Sequence, residues 1–254
     1  MIKKRSQVTI FIIIGLIIFV LLIFFIFSKS TRLDFFIRDK KEPSLEIKNF
    51  IEKSIKENEE KFFKEKQFLQ EFKIFYLYSK ENISYTCYNE EFYFPCIKQS
   101  PLFIESIRRK MENRIARDLS RFLLKLKEDY EARGYSFDFS SYVLNLSFEE
   151  KTISFSFNSN IKVFRQDTSF FVSSIEGQVN SPLPIILRTV ERINDYESTL
   201  CDFDHLAWQF IYRDIKIDKF RAGDGTKVYV LKSKEYPQKE IKFAIRTCVL
   251  PAGI

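Results

Sequence analysis

The chain has 254 residues, 17% of them aromatic, with 29 Phe and 12 Tyr against only 6 Gly and 7 Pro. That composition excludes a disordered chain and supports one large domain, or two small ones around a shared core. The formal charge of +7 does not point to nucleic acid, because Lys3, Lys4 and Arg5 supply +3 and the segment from Lys29 to Lys41 another +3, leaving residues 42–254 at +1.

Val8 to Phe27 reads VTIFIIIGLIIFVLLIFFIF, twenty residues without a charge. At 1.5 Å per residue such a helix spans roughly 30 Å, the thickness of a bilayer core. The run is longer than a cleavable signal core and ends Ile26-Phe27-Ser28-Lys29-Ser30, without a small-x-small cleavage site, so an uncleaved signal anchor is expected. The charge excess flanks this run, where it meets lipid headgroups. Three Lys and Arg precede the run and five follow it, which by itself favours a cytoplasmic domain. The very short tail 1–7 and the cysteine pattern argue the other way. The reading is a single-pass protein of the cell membrane, with N-terminus inside, transmembrane helix 8–27, stem 28–43 and an extracytoplasmic domain 44–254.

From Ser44 the apolar period is helical through Ile47, Phe50, Ile51, Ile55, Phe62, Leu69 and Phe72, which fits one or two amphipathic helices with a bend expected near Asn58. Ser100-Pro101 opens a second helix that runs to Arg133-Gly134 on the stripe Ile104, Ile107, Met111, Ile115, Leu119, Phe122, Leu126 and Tyr130. The period then switches to two in Tyr142–Phe148, Thr152–Phe157, Ile161–Phe164 and Phe170–Val179, with turns expected at Glu149-Glu150-Lys151 and Asn158-Ser159-Asn160. Pro182 and Pro184 start a helix through Leu187, Val190 and Ile193, and Pro182 marks a candidate sub-boundary. A short helix near Asp204 to Tyr212, strand Ile215–Ile217, a Gly223-Asp224-Gly225 hairpin into Lys227–Leu231 and a strand from Ile241 to Val249 follow. The expected class is α+β: long amphipathic helices packed on an antiparallel β-meander.

Four cysteines allow three pairings. Cys87 and Cys96 flank a candidate hairpin, and Cys201 and Cys248 bracket the last helix and strands, so spacing recommends Cys87–Cys96 and Cys201–Cys248. A four-thiolate zinc site lacks its close C-x₂₋₄-C pairs, while four buried free thiols in a cytoplasmic domain remain the alternative. Asn82-Ile83-Ser84, in an expected loop, and Asn145-Leu146-Ser147 match the glycosylation triplet. Tyr85, Tyr88, Phe92, Tyr93 and Phe94 gather around the first cysteine pair as binding candidates. The single histidine lies in Cys201-Asp202-Phe203-Asp204-His205, where Asp202, Asp204 and His205 are weak metal candidates; an N-cap is the simpler role for either aspartate. No nucleotide, hydrolase or metalloprotease fingerprint occurs, so neither catalysis nor a cofactor is expected.

Lys4-Arg5-Ser6-Gln7-Val8-Thr9-Ile10-Phe11 resembles the class III leader of archaeal type IV pilin-like proteins, and more closely the anchor of single-span surface proteins of small-genome archaea that begin with a QVTIF-type stretch. The resemblance covers about thirty residues. It implies processing between Ser6 and Gln7, although Phe11 stands where typical pilins carry Glu. Three functions follow, in order of preference. The first is a non-enzymatic surface domain with the lipid bilayer and another envelope protein as partners; the second is a pilin-like, self-assembling filament subunit, and the third a metal-dependent envelope enzyme.

Overall fold

The structure is a computed structural model that describes residues 15–20, 42–66, 71–91, 93–166 and 168–249. The chain divides into a unit of residues Met1–Glu46 and a unit of Ile47–Ile254. Of the first unit, residues 15–20 are helical and exposed. Most of the apolar run 8–27 and the candidate leader bond Ser6–Gln7 lie outside the described residues, among which no helix is long and apolar enough to cross a membrane.

The described residues hold four labelled helices: α1 (Pro43–Lys64), α2 (Phe103–Ala132), α3 (Leu183–Leu200) and α4 (His205–Ile211). Helix α1 buries Ile47, Ile51, Ile55 and Phe62 and runs unbroken past Asn58, whose amide donates to the Ser54 carbonyl at 2.8 Å instead of opening a bend. Phe72, expected on the same helix, is buried beyond its end. Helix α2 buries Phe103, Ile107, Met111, Ile115, Leu119, Leu123, Leu126 and Tyr130. Spacings of four, with one of three, turn that row gradually around the helix, so Ile104 and Phe122 sit at its margin. The helix starts two residues after Pro101 without a side-chain cap. At its other end Gly134 (φ 81°) donates to the Glu131 carbonyl and Tyr135 to the Tyr130 carbonyl, the paired bonds of a Schellman stop.

Two sheets pack with these helices. The second sheet is built on β6 (Thr152–Arg165), which pairs along one side with β7 (Thr168–Asn180) and along the other with β5 (Tyr142–Phe148) and then β4 (Ser136–Asp138), all antiparallel. The turn expected at 158–160 is a bulge: Ser159 and Asn160 of β6 stand opposite the single Ser173 of β7. Correspondingly, the buried phase of β7 slips from Val172 to Ile175. Two expected strands are therefore one. The wet face is real, since β5 and β6 alternate buried with exposed or half-buried residues.

The first sheet departs from the expected meander. Its order is β1 (Phe75–Tyr78), β2 (Glu81–Tyr88), β10 (Glu240–Arg246), β9 (Thr226–Ser233) and β8 (Ile215–Arg221), with β3 (Ile97–Lys98) also on β2. The β2–β10 pair is parallel, so the sheet is mixed. Strand β2 buries Ile83 to Cys87 on both faces, which hides the period-two signature. On one face Thr86 donates to Asn194 of α3 at 2.6 Å; on the other Ile83, Tyr85, Val228 and Ala244 form a second small cluster under Tyr76, Tyr78 and Tyr88. The fold is α+β, and one main core draws on all parts of the unit from Ile47 to Ile245.

Candidate functional site

Because β2 and β10 run parallel, their C-terminal ends lie together, and the cysteines follow from that. Cys87 stands opposite Ile245, and Cys248 is two residues beyond β10. Cys87–Cys96 and Cys201–Cys248 are disulfides with Cα separations of 5.3 and 5.4 Å, and no cysteine is free. The ten- and 48-residue loops stabilise by about 3 and about 4 kcal/mol in the loop-entropy account. Thr247 joins the two staples: its hydroxyl accepts from the Cys96 amide at 3.1 Å and donates to the Glu197 carbonyl at 2.9 Å.

The first staple closes a loop that Asn89 organises. Asn89 donates through its side chain to the carbonyls of Phe94 (3.3 Å) and Pro95 (3.0 Å) and accepts from the Glu91 amide (3.0 Å). Its backbone amide is anchored on the Arg246 carbonyl at 2.9 Å. So held, the loop leaves Tyr93 85% and Phe94 58% exposed. The other aromatic candidates divide. Tyr85 is core, its hydroxyl 2.8 Å from that of Thr226 and its phenol pushed up by burial; Tyr88 is half-buried against Tyr85; Phe92 lies outside the described residues.

Beneath the second staple sits a charge cluster in which Asp202, a metal candidate from the sequence, is joined by Glu197, Lys219 and Lys227, which were not among the candidates. Glu197 of α3 is fully buried and accepts from Lys227 Nζ at 2.6 Å and from the Tyr229 hydroxyl, with Lys219 Nζ 3.7 Å away. Lys227 also donates to the Cys201 carbonyl, and Lys219 donates to the Phe203 carbonyl at 3.0 Å and to Asp202 at 2.5 Å. Burial works against ionising Asp202, but the bond and charge of Lys219, joined by Lys227, outweigh it and hold the carboxyl down at about 2. Burial, then the adjacent Glu197, pushes the Tyr229 phenol far up, so it stays protonated and donates to Glu197. A periodicity signal for these residues exists. Glu197 continues the buried row Val190, Ile193 and Asn194, Lys219 follows Ile215 and Ile217 by twos, and Lys227 precedes Tyr229 and Leu231 by twos. Charges standing in apolar phase must meet one another.

The metal candidates are committed elsewhere. Asp202 pairs with Lys219, Lys227 and Arg221, while Asp204 caps α4, accepting from the amides of Leu206 (3.1 Å) and Ala207 (3.0 Å). His205 is half-buried, and burial, then nearby Lys219, lowers the pKa of its imidazole. Among the described residues no three His, Cys, Asp or Glu side chains are grouped to hold a metal. Chemically, the cluster locks the end of α3 to β8 and β9.

Asn82 lies in β2 opposite Leu77, not in a loop, because the turn from β1 is tight and the strand begins at Glu81. It borders a cavity of about 210 Å³ at the opposite end of the sheet from the disulfides, walled by Phe62, Phe63 and Ile241 and rimmed by Lys66, Glu81 and Lys242. These charges pair among themselves, Glu81 with Lys66 at 3.1 Å and Lys242 at 3.2 Å, which lowers the Glu81 carboxyl. Asn145 is exposed on β5. Comparison with protein-family models, curated proteins and solved structures found no match.

Proposed function

We propose that the chain is a membrane-anchored extracytoplasmic domain with a non-enzymatic binding role at the cell surface, presenting Tyr93 and Phe94 to another envelope protein. The observation that carries this reading is the pairing of all four cysteines. Structural disulfides persist in oxidising compartments, and one of them braces a loop whose aromatic side chains face solvent. Large rigid aromatics held in place before contact lose little conformational freedom on binding. The apolar run Val8–Phe27 with its basic flanks supplies the anchor, and the +1 charge of residues 42–254 leaves nucleic acid as a poor partner. The mutual pairing of Glu197, Asp202, Lys219 and Lys227 favours a structural over a catalytic use of those groups.

Labelling intact cells with a membrane-impermeant maleimide tests the placement. On intact cells the cysteines react only after an external, membrane-impermeant reductant, and none reacts without it. Labelling without reductant only after cell lysis, meaning free and sheltered thiols, contradicts both compartment and pairing. The mass of the mature protein addresses the filament alternative, which requires loss of residues 1–6.

A further inference from the structure

Helix α4 gathers three exposed large apolar side chains within one short element. Leu206, Phe210 and Ile211, at positions i, i+4 and i+5, form one stripe and are 67, 77 and 69% exposed, and no residue of the helix is buried. The stripe is not a frayed end. Asp204 caps the helix, and Gln209 donates to the Ile217 carbonyl and accepts from the Ile217 amide, both at 3.0 Å. Trp208 stacks on Tyr212 at 4.3 Å between ring centroids and tilts against Phe203. The polar and aromatic side of α4 is thus fixed to β8 and the core, and its apolar side is held outward. Leu200 and Val249, the chain neighbours of disulfide-bonded Cys201 and Cys248, are exposed as well. Arg213 lies with its guanidinium 5.8 Å from the Phe210 ring centre, the arrangement by which a long cation borders an apolar surface while reaching for a polar one.

The geometry points to the bilayer surface as the occupant of this face: α4 lies in the interfacial layer with Leu206, Phe210 and Ile211 toward the acyl chains. This rests on the anchored reading above. An anchor ending at Phe27 leaves fifteen residues, 28–42, before α1, and these span at most about 50 Å when extended. A domain on so short a tether meets its own membrane at millimolar effective concentration, far more often than any dilute partner. The stem is itself cationic, +3 from Lys29 to Lys41, which draws it toward anionic headgroups. A short helix with one apolar side, followed by Arg213, has the side-chain chemistry of interfacial segments.

Trp208 is the sole tryptophan of the chain, so its fluorescence reports α4 alone. The full-length protein is reconstituted in phosphatidylcholine–phosphatidylglycerol vesicles with and without bromine on the acyl chains, and flotation is measured in parallel. The expected result is co-flotation with at least a twofold quenching of Trp208 by brominated lipid. The double variant Leu206→Ser, Phe210→Ser should abolish the quenching while co-flotation and thermal stability persist. A protein that floats but whose Trp208 ignores brominated lipid overturns the docking and leaves the anchor standing. A protein that does not float overturns the anchor, and the docking with it. A Trp208 spectral shift in detergent that grows with protein concentration assigns the face to a second copy and overturns the lipid.

Discussion

The two sheets solve the same packing problem by different means. In the second sheet the long strands are neighbours in sequence, and Phe157, Phe155 and Ile153 of β6 meet Leu144, Leu146 and Phe148 of β5 on one side and Ile175, Gly177 and Val179 of β7 on the other. Apolar matching across short turns suffices there. The first sheet joins β1 and β2, near residue 80, to β8, β9 and β10, near residue 230. It has two disulfides and a buried ion cluster at one end. Distant segments cost more chain entropy to bring together, and each of the two is closed by its own disulfide while the Cys96 amide on the Thr247 hydroxyl links them.

The largest way to break this contrast is Cys201→Ser with Cys248→Ser, which should cost about 4 kcal/mol, and the shorter Cys87–Cys96 loop about 3. Close behind is Glu197→Ala. Removing the carboxylate leaves buried Lys219 and Lys227 with half-exposed Asp202 as their shared counter-charge, and a loss of about 3 kcal/mol in denaturant unfolding is expected. In the second sheet the sensitive position is Gly177, where a Cβ would come within 2.6 Å of the Phe155 ring. Gly177→Val should cost about 1–3 kcal/mol through overpacking. Exposed Asn145→Ala, on the same sheet, should change stability by less than about 0.5 kcal/mol.

Acid sharpens the same comparison more gently. The Asp202 carboxyl is held at about 2, below its usual value, so its contribution is present above pH 4 and is lost as the pH falls from about 4 to about 2. The side chain is 42% exposed, so solvent screening keeps that contribution to about 1 kcal/mol or less. Asp202→Asn should flatten the acid limb of the stability curve in that window, read by thermal unfolding at stepped pH.

The contrast also explains what could be read in advance. The cores of α2 and β5 are legible because each buries one side only and so shows its period in the sequence, and the cysteine pairs because each closes a plausible local loop. Strand β2 escaped because Ile83 to Cys87 are buried on both faces. The parallel β2–β10 pairing escaped because nothing local encodes a partner more than 150 residues away. Tyr85 was grouped with the loop aromatics, but the alternation of β2 turns it into the small outer cluster while leaving Tyr93 and Phe94 free. Glu197, Lys219 and Lys227 were visible only as charges in apolar phase, a pattern that each element shows singly and that acquires meaning when three elements are brought together.

Peptide mapping without reduction tests the stapled end most directly. The protein is alkylated before proteolysis and the fragments are weighed. The expected result is two linked species, one joining Cys87 to Cys96 and one joining Cys201 to Cys248, with no alkylated cysteine. Alkylated cysteines, or a link from Cys87 or Cys96 to Cys201 or Cys248, would contradict it.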